Sequence, residues 1–225
     1  MMRLIFLVFL VLPFLGAAQD DYFFGMMPVV NGNFGLQNDF RLNVQLENRH
    51  VFRGGTFGGE TAIDGYEFER QDLSLALSRK IAADAELAGG YQIRYEAEEI
   101  IHRTMQQISF SQSLSRTKLA HRFKADQTWV PSEPFELRLR YRFGLEYPLF
   151  GQKLDPNELY LKSNLEYLAE FQDGLTNEFR WTPALGFLGR DENSFELGLD
   201  YRLEGIFDEL REHGFWLYLG YYFRI

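Results

Sequence analysis

The residues of this sequence that could do chemistry are charged side chains at alternating positions. Stretches 117–129 and 135–147 carry cations on one face, and stretches 159–171, 175–187 and 195–205 carry mainly carboxylates on one face. Alternation puts the charges of a stretch on the same side of an extended strand. The candidate network comprises Lys118, Arg122, Lys124, Arg138, Arg140, Arg142, Glu166, Glu170, Glu178, Arg180, Glu196, Asp200, Arg202 and Glu204.

Charges of both signs in such numbers indicate mutual pairing more than catalysis. An ionised group that is buried without a partner is strongly destabilising, so a basic wall facing an acidic wall favours salt bridges between them. The pattern therefore predicts an internal network of ion pairs and hydrogen bonds. The alternative is a narrow channel for small solutes or ions, with the two walls setting up a transverse field.

The histidines offer a further alternative. His213 lies near Asp208, Glu209 and Glu212, and His50 borders a glycine-rich stretch. An acid–histidine pair can activate water, which is the chemistry of a hydrolase with a loop active site. No GxSxG or HExxH motif accompanies these residues. We therefore predict no catalytic residue, no metal, no cofactor and no enzymatic activity.

The charged faces alternate with apolar ones. In the stretch FELRLRYRFGLEY, every odd position from Phe135 to Tyr147 is apolar, and every even position is charged or glycine. A period of two is the signature of a strand with two different faces. Ten segments follow this pattern: 40–47, 72–80, 85–95, 102–114, 117–129, 135–147, 159–171, 175–187, 195–205 and 214–225.

The length of these segments favours a membrane. Strands of soluble domains usually have about 5–6 residues, whereas a tilted strand that crosses a bilayer needs about 9–11. Aromatic residues such as Tyr91, Tyr147 and Phe171 stand near the ends of the apolar rows, as in interfacial girdles. The sequence thus predicts an all-β, closed, antiparallel transmembrane barrel. A soluble lipocalin-like barrel with its apolar rows inside is the alternative.

Closure of such a barrel favours an even number of strands with both termini at one end. We predict about ten strands, or twelve if 22–34 forms a further hairpin. The glycine-rich stretch 49–65 is then the first external loop, 129–134 and 205–213 are also external, and the turns near 80–84 and 189–193 are periplasmic.

The N-terminal residues indicate export. Arg3, the apolar run Leu4 to Leu15 and the small residues before Gln19 form a secretory signal peptide, residues 1–18. One barrel domain, residues 19–225, follows, with the outer membrane as its location. The net charge of -9 argues against a nucleic-acid partner, and the absence of cysteine excludes disulfides and thiolate metal sites.

The last strand carries a further pattern. Apolar residues alternate back from the C-terminus, ending in Tyr221, Phe223 and Ile225. This resembles the C-terminal signal by which outer-membrane barrels are recognised by the assembly machinery, although that signal usually ends in Phe or Trp.

From about residue 40 the chain also resembles domain-of-unknown-function family 2490, a family of outer-membrane barrel proteins of Gram-negative bacteria. The resembling stretches are LAHRFKADQTW, LRLRYRFGLEYPL, NELYLKSNLEY, TNEFRWTPALGF and LGYYF. The resemblance implies a barrel and its location but brings no activity, cofactor or catalytic residue. We expect a small, largely closed barrel with a structural or accessory envelope role. Its expected partners are outer-membrane lipid, the assembly machinery and an unidentified protein.

Overall fold

A computed structural model describes residues 20–130 and 133–225, so the proposed signal peptide, residues 1–18, lies outside the described residues. Eleven strands make up the fold: β1 Asp21–Gly35, β2 Phe40–Thr56, β3 Thr61–Lys80, β4 Ala85–Glu96, β5 Glu99–Leu114, β6 Thr117–Trp129, β7 Glu136–Pro148, β8 Glu158–Phe171, β9 Leu175–Leu188, β10 Ser194–Glu204 and β11 Glu212–Arg224. None of the described residues forms a helix long and apolar enough to cross a membrane.

The strands form one closed barrel, which confirms the prediction of an all-β closed barrel. Strands that are consecutive in sequence pair antiparallel all the way from β1 to β11. The barrel closes where β1 lies parallel to β11. Every strand therefore has two neighbours, and no edge is left for a further chain to pair with.

The strand count is eleven, close to the predicted ten, whereas the expectation of an even number and the alternative of a hairpin over 22–34 are wrong. The ten alternating segments correspond to β2–β11, and β1 is a single additional strand. Because β1 is parallel to β11, Asp21 is in register with Glu212 and Asn33 with Arg224. The start of β1 and the end of β11 consequently lie at opposite ends of the barrel, and not at one end as predicted.

The connections divide between two ends. The upper end carries the connections 57–60, 97–98, 172–174 and 205–211 and the described residues between β6 and β7 (130 and 133–135), and the lower end carries 36–39, 81–84, 115–116, 149–157 and 189–193. The expected external loop 49–65 is mostly strand, since β2 extends to Thr56 and β3 begins at Thr61. Its glycines sit at register shifts and a tight turn in this long hairpin, where they bend the strands without ending them.

The apolar rows of the strands face outward. Phe123 on β6, Leu139 on β7 and Leu197 on β10 are 49%, 46% and 55% exposed, whereas Asp126 and Glu166 on the opposite face are 0% and 2% exposed. This orientation contradicts the lipocalin-like alternative, in which the apolar rows would fill the interior.

A small apolar cluster interrupts the polar interior beside the parallel closure. Met27, Val29, Val51, Trp216 and Tyr218 are buried together where β1, β2 and β11 meet. Gly25 is required here, because a Cβ atom at that position would lie 2.6 Å from the ring of Trp216 and 2.2 Å from a backbone oxygen of β2.

Candidate functional site

Two cavities lie in the described part of the barrel interior. An inner cavity of about 430 Å³ extends toward the lower end, and a mouth cavity of about 470 Å³ lies toward the upper end. A barrel of about eight strands is just wide enough for side chains to fill it. Eleven strands leave additional volume, which these two cavities occupy.

A ring of arginines separates the cavities. The described residues that line both of them are seven arginines: Arg49, Arg70, Arg94, Arg103, Arg138, Arg180 and Arg202. They come from seven strands around the barrel, so the ring is assembled by the closure of the sheet and not by one segment. We call this set the arginine ring.

Charge is distributed unevenly along the barrel axis. Beyond the arginine ring, the charged side chains described around the mouth cavity are nine glutamates: Glu69, Glu96, Glu99, Glu133, Glu136, Glu170, Glu178, Glu204 and Glu212. Twelve arginine and lysine side chains and five carboxylates line the described part of the inner cavity. The lumen is therefore acidic at its upper opening and basic inside.

The lower part of the inner cavity is lined by neutral amides. Asn43 donates hydrogen bonds to Asn31 and Asn33 at 2.8 and 3.0 Å. Asn31 in turn donates to Gln45 at 3.1 Å. These contacts fix the amides in place. Charged side chains also lie at this end, since Glu86 lines the cavity and pairs with Arg41 at 3.3 Å.

One wall of the lumen shares its carboxylates among several cations. Glu166 on β8 lies 2.8 Å from Arg122, 2.8 Å from Arg142 and 3.8 Å from Arg140. The same carboxylate lies 3.6 Å from Arg180 of the ring.

Asp126 on β6 is the second shared carboxylate of this wall. It lies 3.1 Å from Lys124 and 2.9 Å from Arg140, and it is fully buried. We call Arg122, Lys124, Arg140 and Arg142 with Asp126 and Glu166 the shared-carboxylate wall. Four cations meet two carboxylates there.

The opposite arrangement occurs on β2–β4. Arg94 forms a two-pronged pair with Asp72, with its Nε and Nη2 atoms 2.7 and 3.0 Å from the two carboxylate oxygens. It also contacts Glu96 at 3.2 Å. Such a fork matches the planar guanidinium to both oxygens, which makes it among the stronger charged hydrogen bonds.

The neighbouring arginines of β2 and β3 also have two carboxylates each. Arg49 lies 2.8 Å from Glu47 and 3.9 Å from Glu69. Arg70 lies 3.4 Å from Glu69 and 3.3 Å from Glu96. We call these arginines and Arg94, with Glu47, Glu69, Asp72 and Glu96, the paired wall.

Most of the network residues named from the sequence line one of the two cavities. Arg122, Lys124, Arg138, Arg140, Arg142, Glu166, Arg180, Asp200 and Arg202 line the inner cavity, and Glu170, Glu178 and Glu204 line the mouth. Glu196 is buried beside Lys162 at 2.7 Å and accepts a hydrogen bond from Tyr160. Lys118 is exposed next to the turn 115–116.

The ion pairs of this half of the barrel do not reach across the lumen. Arg180 contacts Glu178 at 2.6 Å and Arg202 contacts Asp200 at 2.5 Å, in each case two residues apart on one strand. Strands β6–β10 are consecutive neighbours, so the expected basic and acidic walls adjoin each other instead of facing each other.

Sequence reasoning missed the paired wall. Asp72 and Arg94 occupy polar positions of alternating segments, as the residues of the predicted network do. The same alternation would have found them. Glu47 and Arg49 stand where the 40–47 segment continues into the stretch assigned to a loop.

Each of the four histidines contacts a tyrosine on the neighbouring strand. The Nδ1 atoms of His50, His102, His121 and His213 lie 2.7, 2.6, 2.8 and 3.0 Å from the hydroxyls of Tyr66, Tyr91, Tyr141 and Tyr201. Such aromatic pairs with a polar atom suit the boundary between an apolar and an aqueous phase.

His213 has a second partner. Its Nε2 atom lies 3.1 Å from Asp20, which also accepts a hydrogen bond from the backbone N–H of Arg211. Burial favours the neutral form of Asp20, but the hydrogen bonds from His213 and Arg211 outweigh it and lower the pKa of the carboxyl. Within the described residues, no group of three acidic or histidine side chains is placed to hold a metal ion.

Two residues of the proposed C-terminal signal, Tyr221 and Phe223, lie on β11 between β10 and β1, and Ile225 follows the last residue of that strand. Tyr221 packs on Phe195 with ring centres 4.7 Å apart, and Phe223 packs edge-on against Phe34 at 5.9 Å. Ile225 is 75% exposed.

Comparison with known families gives a match that reaches nearly the whole barrel. A family described as "Protein of unknown function (DUF2490)" matches residues 25–222, from within β1 to within β11. The chain belongs to the DUF2490 family. The family match begins earlier than residue 40 and so includes most of the strand that alternation did not reveal. Curated proteins and solved structures give no match.

Proposed function

We propose that this DUF2490 protein is an integral β-barrel of the outer membrane, with a lumen largely closed by its charge network and a structural or accessory role in the envelope. The observation that carries the proposal is the orientation of the faces. Apolar side chains cover the outside of the barrel, and ionised ones are buried inside it.

The closed sheet supports this environment. In hydrocarbon, every backbone N–H and C=O must find a partner within the protein, and a closed barrel supplies one for each strand. Outer-membrane lipid would be the partner of the apolar surface. The barrel assembly machinery would recognise β11 through Tyr221, Phe223 and Ile225.

The state of the lumen supports a structural role more than a wide pore. The seven arginines of the ring line both cavities and so narrow the lumen between them. Because breaking one member of a buried ion pair is costly, the network would stiffen the barrel.

Fractionation with a matched pair of variants tests the membrane assignment. The wild-type protein is expected in the outer-membrane fraction, and its gel mobility should change when the sample is boiled. Phe123→Arg, on the outer face of β6, should destabilise the barrel in lipid by about 2–4 kcal/mol if it faces the bilayer interior. Phe207→Arg, in the 205–211 connection, makes the same change at a side chain 78% exposed and should cost little.

The membrane proposal fails if the protein remains monodisperse in plain buffer. Equal effects of the two Phe→Arg substitutions on stability in lipid vesicles would also contradict it, since only Phe123 lies in an outward-facing apolar row of a strand.

A narrow channel is the second candidate, favoured by the two cavities meeting at the arginine ring. Planar bilayers containing the protein would then conduct. Replacing Arg138, Arg140 and Arg142 by glutamine should change the conductance and reduce any preference for anions. A protein that closes its lumen leaves the bilayer non-conducting.

The geometry does not favour the hydrolase alternative. Both ring nitrogens of His213 are engaged, one with Tyr201 and one with Asp20, so neither is free to take a proton from water. We therefore propose a non-enzymatic role. Peptide or lipid hydrolysis that disappears in His213→Ala would overturn it.

A further inference from the structure

The shared-carboxylate wall carries more positive charge than its own acids neutralise. Glu166 is the carboxylate partner of Arg122 and Arg142, and Arg140 has Asp126 and the more distant Glu166. Arg180 adds a fourth guanidinium to Glu166 but has Glu178 as its own partner at 2.6 Å. The excess is therefore concentrated on the arginines nearest Glu166.

Two of these arginines are accessible from the inner cavity. The side chains of Arg142 and Arg122 are 35% and 26% exposed, compared with 10% for Arg140 and 12% for Lys124. Each guanidinium holds Glu166 through one nitrogen, Nη2 of Arg122 and Nε of Arg142, both at 2.8 Å. A guanidinium has five N–H donors, so the other nitrogens of these two side chains can donate to an additional acceptor.

Space for that acceptor lies next to the two arginines. The inward positions below Arg122 and Arg142 on their strands are Ala120 and Gly144, and Asn164 covers Gly144, since its Oδ1 atom lies 2.9 Å from where a Cβ atom would be. Asn164 lines the cavity beside them, and its neighbour across the β8–β9 pairing, Thr182, does so too. The Thr182 hydroxyl donates to Asp200 at 2.8 Å, so the amide of Asn164 is the neutral donor group beside the two arginines.

The two openings of the lumen treat an anion differently. Glutamates surround the mouth cavity at the upper end and repel negative charge. The lower part of the inner cavity carries the hydrogen-bonded amides of Asn31, Asn33 and Asn43, and the one carboxylate there that lines the cavity, Glu86, is paired with Arg41 at 3.3 Å. A small anion would therefore enter from the lower end and stop below the arginine ring.

We propose that the inner cavity binds one small oxyanion of the phosphate class between Arg122 and Arg142. Guanidinium groups bind phosphate oxygens through paired N–H donors. An arginine pair with donors to spare therefore favours phosphate over chloride. The proposal concerns the inside of the barrel only, so it does not depend on whether the barrel lies in a membrane.

Thermal unfolding of the purified, detergent-solubilised protein tests the proposal. Inorganic phosphate replaces chloride at constant ionic strength, so general screening stays fixed. Phosphate should raise the unfolding midpoint in a saturable way. Arg142→Gln should weaken the apparent phosphate affinity about tenfold, the equivalent of one charged hydrogen bond.

Two further variants make the test specific. Arg41→Gln removes one positive charge at the lower end, where Arg41 pairs with Glu86 at 3.3 Å, and should change phosphate affinity less than about twofold. Glu166→Gln should lower the stability of the phosphate-free protein yet strengthen phosphate binding, because it removes the carboxylate that competes for the same arginines.

The proposal is wrong if phosphate and chloride give the same unfolding midpoint for the wild-type protein, a comparison that needs no variant. It is also wrong if Arg142→Gln and Arg41→Gln weaken the phosphate effect equally, since that result would indicate general attraction to a basic lumen. Neither result would affect the assignment of the barrel to a membrane.

Discussion

The two charged walls of the lumen reach stability in different ways. On the paired wall, three arginines have four carboxylates, and Arg94 holds Asp72 by two hydrogen bonds. On the shared-carboxylate wall, four cations rely on Asp126 and Glu166. Both walls arise from the same strand alternation, so the fold fixes where charges lie but not how they are balanced.

The difference identifies which residue matters most on each wall. Where carboxylates are scarce, each one holds several cations together, and its removal leaves them facing one another at short range. Where cations are scarce, the arginine has that role. The charge that is in the minority should therefore control the stability of its wall.

The largest expected effect is that of Glu166→Gln. Removing this charge leaves Arg122 and Arg142 without a carboxylate partner among the described contacts. Arg140 and Arg180 each lose one of their two nearby carboxylates. We expect a loss of about 3–5 kcal/mol in unfolding free energy. Urea unfolding of the barrel in detergent or lipid vesicles would measure it.

Glu69→Gln is the matched control on the paired wall. Glu69 is 25% exposed, and both of its arginines keep a second carboxylate, so the loss should be about 1 kcal/mol or less. If Glu166→Gln and Glu69→Gln lower the unfolding free energy equally, the distinction between the walls has no energetic meaning.

An arginine substitution on each wall should show the reverse order. Arg94→Gln leaves Asp72, a buried carboxylate, without its two-pronged partner and should cost about 3 kcal/mol. Arg142→Gln removes one of several cations around Glu166 and should cost about 1 kcal/mol or less. The same unfolding measurement compares the two, and a larger loss for Arg142→Gln would contradict the cation excess.

The sequence predicted the strands that have two different faces. From β2 to β11, an apolar row alternates with a polar one, and this pattern survives in the structure with the apolar row outside. β1 was not predicted as a strand with two different faces, because Met27 and Val29 on its inner face pack on Trp216. Both faces of that part of the strand are therefore apolar. Pro28, which cannot donate a backbone hydrogen bond, further obscured it.

The ion-pair partners could not be predicted in the same way. Alternation assigns Arg122 and Glu166 to the lumen, but their contact crosses β7 and depends on how neighbouring strands are staggered. The arginine ring likewise depends on the register of seven different strands, because each strand contributes one arginine at the same level of the barrel. Charge pattern alone therefore suggested facing walls, whereas the structure places the pairs along neighbouring strands.

The smallest expected effect comes from adding one carboxylate to each wall. Gln107 on β5 lines the inner cavity directly opposite Lys124 in the β5–β6 register, and Gln45 on β2 points into the same cavity next to Glu47. Glutamine and glutamate have nearly the same shape, so Gln107→Glu and Gln45→Glu change mainly the charge.

We expect Gln107→Glu to stabilise the barrel by about 0.5–1 kcal/mol, because it supplies an acid where cations are in excess. Gln45→Glu should destabilise it by a similar amount, because it adds a carboxylate beside another one. Unfolding of both variants in low salt gives the signs, and screening by added salt should reduce both shifts. Shifts of the same sign would show that the lumen responds to its total charge and that the two walls do not act separately.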